Sequence, residues 1–238
     1  MSQSRTSALS PRALKLLVGS VLVLVIPLVY LGFTTLMAGI AGHQAQLFLE
    51  DWERKGEDPS DKAWQFAVNA AQRSLEWSPG AGALHADRLG RIYEWYRVST
   101  PLGDREAEPA RHLAVAAYRR SIEARPLWPF TRVQLAYAKL RLLAFDDEFH
   151  HQLAEARRLA PGRVRIHGPL AEIGIIAWPQ LSAEQKLETW QSLELVLRYD
   201  PRRAQPLYSL AEQAGLTDSL CTSLDPELLK QRKWCTPQ

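Results

Sequence analysis

Apolar and polar positions divide this chain into two unlike parts. From Leu16 to Ala41 the sequence LLVGSVLVLVIPLVYLGFTTLMAGIA contains no charged residue, and only Ser20, Thr34 and Thr35 carry clearly polar side chains. About 20 apolar residues span a bilayer core as a helix, so this stretch predicts a transmembrane helix. A cleaved signal peptide is the competing reading, with Gly39 and Ala41 at plausible cleavage spacing, but its apolar run is usually only about 7–15 residues. Pro27 in mid-span is a kink candidate, tolerated where the freed carbonyl finds another partner.

Beyond the span, strand patterns are almost absent. Leu135, Tyr137, Ala138, Leu140, Leu142 and Leu143 predict a helix buried on more than one side, while Phe149, Leu153, Ala156 and Leu159 form the narrower stripe of an amphipathic one. Helix starts are marked by Asp58 before Pro59, by Asp225 before Pro226, and by Ser182 with Gln185 in the form of a capping box. Ends are marked by Pro79, Pro126, Pro161 and Pro201, which cannot continue a preceding helix.

These four prolines close similar phrases, RSLEWSP, RSIEARP, EARRLAP and LVLRYDP, at intervals of 47, 35 and 40 residues. Small or aromatic residues recur behind them, as in Ala114, Tyr118 and Ser121 before Pro126. The pattern is similar to the second helix of a tetratricopeptide repeat, whose period is about 34 residues. The first-helix signature of those repeats is not met, so any repeats are divergent. A breaker-rich insertion, residues 99–109, lengthens the first interval and Ala177 to Ser182 the third. The expected fold class is all-α: a single transmembrane helix followed by a divergent, tetratricopeptide-like solenoid of about four helical hairpins. The expected organisation is a basic cytoplasmic tail (1–15), the span (16–41), a juxtamembrane segment (42–60), the repeat domain (61–216) and a C-terminal tail (217–238).

Charge orients the span. The 238 residues include 29 Lys and Arg against 26 Asp and Glu, a net +3. Arg5, Arg12 and Lys15 precede the apolar run and no acid does, so the other 26 bases balance the 26 acids and region 43–238 is neutral. The excess is therefore an orienting tail and no sign of nucleic-acid binding; positive residues stay inside, which places the N-terminus in the cytoplasm and the large domain in a bacterial periplasm. A hydrophobic fraction of 46% excludes disorder over the whole length.

Candidate chemistry is sparse. Nucleophile elbows, phosphate loops, dinucleotide fingerprints and HExxH are missing, so no catalytic, cofactor-binding or metal residue is expected, and no cofactor. Asp146, Asp147, Glu148, His150 and His151 are the right types for a metal, but acids also favour a first helical turn and the ligand spacing is irregular. Arg157, Arg158, Arg163 and Arg165 flank the Pro161 turn and offer a surface for an acidic glycan or lipid headgroup, or else complement a helix C-terminus. Trp128 and Trp178, each followed by proline, are a sugar-stacking platform or packing wedges. In an oxidising periplasm Cys221 and Cys235 are expected to pair, closing a loop of about 15 residues.

Trp128-Pro129-Phe130, Leu135-Ala136-Tyr137-Ala138-Lys139-Leu140, Phe149, Leu170-Ala171-Glu172-Ile173-Gly174, Ala177-Trp178-Pro179, Pro201-Arg202 and Leu220-Cys221 carry a likeness to a known group. Over roughly residues 115–222 most strongly, the chain resembles the VpsP-type polysaccharide biosynthesis proteins, single-pass inner-membrane proteins with a helical-repeat periplasmic domain. The resemblance implies a non-enzymatic assembly factor for exopolysaccharide biosynthesis or export. Its expected partners are membrane-embedded synthesis and export proteins and nascent polysaccharide. The alternatives are a repeat adaptor for another envelope assembly (secretion, pilus or cytochrome maturation) and a glycan-active enzyme using acids such as Glu172.

Overall fold

A computed structural model describes residues 10–78, 80 and 82–235; Arg5 and Pro79 lie outside the described residues. These residues form eleven α-helices and no strand. The first helix, α1 (Pro11–Lys55), runs unbroken through Pro27. Its polar side chains bond within the helix, Ser20 to the Leu17 carbonyl at 2.9 Å and Thr35 to that of Leu31 at 2.7 Å. From Leu16 to Phe33 the apolar side chains are exposed, and by length and composition α1 can cross a membrane.

From Thr34 onward α1 becomes one-sided. Thr34, Ala38, Ala41, Ala45, Leu49 and Trp52 recur at three and four spacing and are all buried. They pack on α2 (Asp61–Trp77) and α3 (Ala83–Glu94), so residues 42–55 continue α1 and form one arm of a helix pair with α2. The cap of α2 is Ser60, whose hydroxyl accepts from Ala63 N at 3.3 Å. Asp58, expected in that role, instead accepts from the amide and hydroxyl of Ser99 at 2.9 and 2.6 Å.

The remaining elements are α4 (Glu108–Ala124), α5 (Pro129–Arg141), α6 (Asp147–Leu159), α7 (Val164–Ile176), α8 (Ala183–Tyr199), α9 (Pro201–Gln213), α10 (Thr217–Ser223) and α11 (Pro226–Arg232). Pro126 and Pro161 follow the ends of α4 and α6, whereas Pro201 ends α8 and also opens α9, since proline suits a first helical turn. The capping box of Ser182 and Gln185 is formed, and Asp225 caps α11.

Each helix packs on its chain neighbour from α1 through α9, and the odd-numbered helices also touch in series, α1 on α3, α3 on α5, α5 on α7 and α7 on α9. The apolar interior follows this order in three joined clusters. One runs from α1 to α5, the second is built on α5, α6 and α7, and the third on α7 to α11. Leu135 and Ala138 of α5 enter the first cluster, Val133, Ala136 and Leu140 the second, which is why that helix is apolar nearly all round. At its far end, Cys221 and Cys235 are joined by a disulfide with Cα atoms 5.7 Å apart, and Trp234 stacks on Tyr208 at 4.2 Å.

Two buried cations fasten the irregular connections. Arg111, 1% exposed, donates to the carbonyls of Pro101 and Arg141 and to the Thr100 hydroxyl, holding the 99–109 insertion against the end of α5. Lys139 donates to Asp146 at 2.8 Å and Glu148 at 2.6 Å, tying α5 to the start of α6.

Candidate functional site

The turn between α4 and α5 is written by its prolines. Pro126 bars continuation of α4, and Pro129 confines Trp128 to extended backbone, observed at φ −95° and ψ 106°. Leu127 and Trp128 are thereby held outward, 73% and 37% exposed. The Arg125 guanidinium lies over the Trp128 ring, 4.4 Å from its centroid, and the Trp128 and Phe130 rings are 5.3 Å apart. From the next hairpin, Arg163 reaches to 5.7 Å from the Phe130 ring. With Arg165, Leu84 and Asp87 these side chains line an open groove of about 540 Å³. Asp87 accepts a hydrogen bond from the Thr131 hydroxyl, and no carboxylate of the described residues pairs with Arg163 or Arg165.

The four arginines singled out in the sequence therefore separate. Arg157 and Arg158 lie in the last turn of α6, where the helix dipole favours cations. Arg157 is spent within the fold, donating to the Glu188 carbonyl and the Ser192 hydroxyl at 2.7 Å each, and Arg158 pairs with Glu155. Arg163 and Arg165, by contrast, stand at the start of α7, the end at which a positive charge is disfavoured by about 0.3–1 kcal/mol. Complementing a helix C-terminus does not account for them.

The tryptophans separate too. Trp128 belongs to the groove, whereas Trp178 sits past the other end of α7 in a short 3₁₀ turn (Trp178–Gln180), its ring 4.8 Å from that of buried Trp190 and beneath the Lys186 ammonium. It is a wedge between α7 and α8. Arg125 and Phe130 complete the groove and were not singled out as a site; the signal Arg125 carried is its place three residues before the Trp128-Pro129 pair.

The acidic and histidine cluster is dispersed by its bonds. Asp146 caps α6 through Phe149 N at 3.0 Å, and His150 Nδ1 lies 3.0 Å from Gln185 Nε2. Glu148 accepts a bidentate bond from Arg119 as well as the Lys139 bond, and the Arg119 hydrogen bonds foremost hold its pKa down at about 2. No group of three metal-ligating side chains occurs among the described residues.

Two interior carboxyls are displaced the other way. Burial raises Glu94 to about 7; one oxygen accepts from the Tyr118 hydroxyl and the other is buried with no hydrogen-bond partner. Burial also raises Glu172, which accepts from the Tyr137 hydroxyl at 3.4 Å. Glu172 is the carboxylate among the residues lining a cleft of about 520 Å³ between α7 and α9, which it shares with Arg203, Pro169 and Leu207.

Neither the protein-family models nor the curated proteins contain a match to this chain.

Proposed function

We propose that this chain is a non-enzymatic scaffold, held in the bacterial inner membrane by α1 with its helical domain in the periplasm, that assembles exopolysaccharide synthesis or export proteins. The observation that carries the scaffold reading is the serial contact of α1, α3, α5, α7 and α9, a continuous layer built from successive helix pairs. Stacking of this kind is how tetratricopeptide-like hairpins, each too small to bury its own face, share a core and present an extended binding surface. The α7–α9 cleft opens on that layer. The periplasmic placement rests on Arg5, Arg12 and Lys15 ahead of the span, and the choice of client rests on the resemblance over residues 115–222.

Deleting the gene and measuring secreted polysaccharide under inducing conditions is the test, with residue-level crosslinking from the soluble domain in intact membranes. Loss of polymer together with crosslinks to synthesis or export proteins is expected. Unchanged polymer, with crosslinks to a secretion, pilus or cytochrome-maturation complex, would replace the client and keep the scaffold.

A further inference from the structure

Alternation of the helices brings the α2–α3, α4–α5 and α6–α7 turns to one edge of the domain, and that edge is where the apolar half of α1 leaves it. Phe33 packs edge-on against Trp77 at the end of α2, with ring centroids 5.7 Å apart. Thr35 and Gly39 share a depression with Ser78, Leu84 and Arg88. Leu84 also lines the groove of Trp128, Phe130, Arg163 and Arg165, and Ser121 near the end of α4 donates to the Ala83 carbonyl at 2.8 Å. The groove is thus contiguous with the point at which a membrane-spanning helix emerges.

We propose that this edge docks on the bilayer surface, with Leu127 and Trp128 entering the interfacial layer and Arg163, Arg165 and Arg125 meeting the phosphates of anionic phospholipids. The composition fits that occupant: an outward leucine and tryptophan, as aromatic residues concentrate at membrane interfaces, beside three arginines that outnumber the single carboxylate of the groove, Asp87. Arg163 and Arg165 stand against the dipole of α7, and an external anion relieves that cost. Asp87 is engaged by Thr131 and offsets one of the three charges. The tether makes the encounter intramolecular, so weak contacts suffice. The inference requires only that α1 spans a membrane, and so is separable from the choice of client.

The full chain is reconstituted in nanodiscs of phosphatidylcholine alone or with phosphatidylglycerol, each with brominated acyl chains, and Trp128 is isolated as the difference in fluorescence quenching between the parent and Trp128→Phe. Trp128 is expected to be quenched in the phosphatidylglycerol discs, less so at high salt. Each basic residue near an anionic surface strengthens association about fivefold, so Arg163→Gln with Arg165→Gln should weaken docking by about 25-fold without lowering the thermal midpoint. Equal, low quenching of Trp128 in both lipids would overturn the proposal. So would a Trp128 response to soluble acidic polysaccharide that needs no anionic lipid, which would assign the groove to polymer.

Discussion

At Gly90 the absence of a side chain is what lets α3 lie on α4, and the consequence can be worked from distances. A Cβ built there would meet the Tyr118 ring at 2.5, 2.7 and 2.9 Å, where real contacts begin near van der Waals separation. Tyr118 has little room to yield: it is fully buried, and its hydroxyl donates to Glu94. Alanine in place of a helical glycine gains about 1 kcal/mol in propensity, but forcing an extra methyl into a close-packed core costs about 1–3 kcal/mol, and a rigid ring puts this site at the upper end. Gly90→Ala should therefore destabilise the domain by about 1–2 kcal/mol, lowering the thermal midpoint by about 2–8 °C for a chain of this size. Circular dichroism melts of the full chain in detergent read this directly. A double-mutant cycle separates the clash from other causes: Tyr118→Leu removes the offending ring atoms, so the two substitutions should couple favourably by about 2–3 kcal/mol, the clash without the propensity gain. A neutral or stabilising Gly90→Ala, or an additive cycle, would refute the close-approach reasoning.

The α7–α8 contact repeats this device, since a Cβ on Gly174 would meet the Thr189 side chain at 2.6 and 2.9 Å; Gly174→Ala should destabilise by about 1–2 kcal/mol and be partly rescued by Thr189→Ala, which removes the nearer atoms and keeps the Cβ, in the same melts. Glu94, raised by burial from 4.5 to about 7, binds its proton more tightly folded than unfolded, so stability should fall by about 3 kcal/mol as pH rises through that window. Glu94→Gln should flatten that limb in melts run from pH 4.5 to 8. Glu148, depressed to about 2, works in the opposite sense, its stabilisation present above 4.5 and lost as pH falls toward 2, and Glu148→Gln should remove about 2 kcal/mol at pH 7 together with that acid limb. Cys221 and Cys235 should resist alkylation until reductant is added, and Cys221→Ser with Cys235→Ser should cost about 3 kcal/mol in the packing of α10 and α11.

What could be read from the sequence was local. Pro126 and Pro161 stop helices through their own ring geometry, and Ser182 with Gln185 forms its box within one turn. Asp58 shows where such reading ends: the proline after it, Pro59, gave it the form of a cap, but a partner 41 residues away, Ser99, takes its carboxylate. The buried bonding of Arg111, Lys139 and Glu94 is illegible for the same reason, since a lone charge in a helical stretch resembles any solvated residue until the opposing helix is in place. The site divided along the same line. Trp128 and Arg163 stood out by type, but that they share a groove with Arg125 and Phe130 depends on how two hairpin turns meet, which no local spacing records.

The apolar run at the front takes on a second task that its composition conceals. Its exposed portion, from Leu16 to Phe33, is 18 residues, and at 1.5 Å per residue these reach about 27 Å, close to the thickness of a bilayer core. The residues that follow, Thr34, Ala38 and Ala41, are still small and uncharged but already belong to the packing of the domain, and the same helix continues through Ala45, Leu49 and Trp52 into the first cluster of the interior. No loop separates span from domain. A flexible linker would let the domain sample all orientations above the membrane, whereas a continuous helix packed along one side by α2 and α3 transmits the tilt of the span to every later hairpin. The order of the turns then decides what faces the lipid. Because each helix pair returns the chain to the edge from which α1 emerged, the even-to-odd turns collect there, and the proposed docking would set the features placed at those turns, an outward tryptophan and arginines at the wrong end of a helix dipole, where an interfacial aromatic and a cation each lower the free energy.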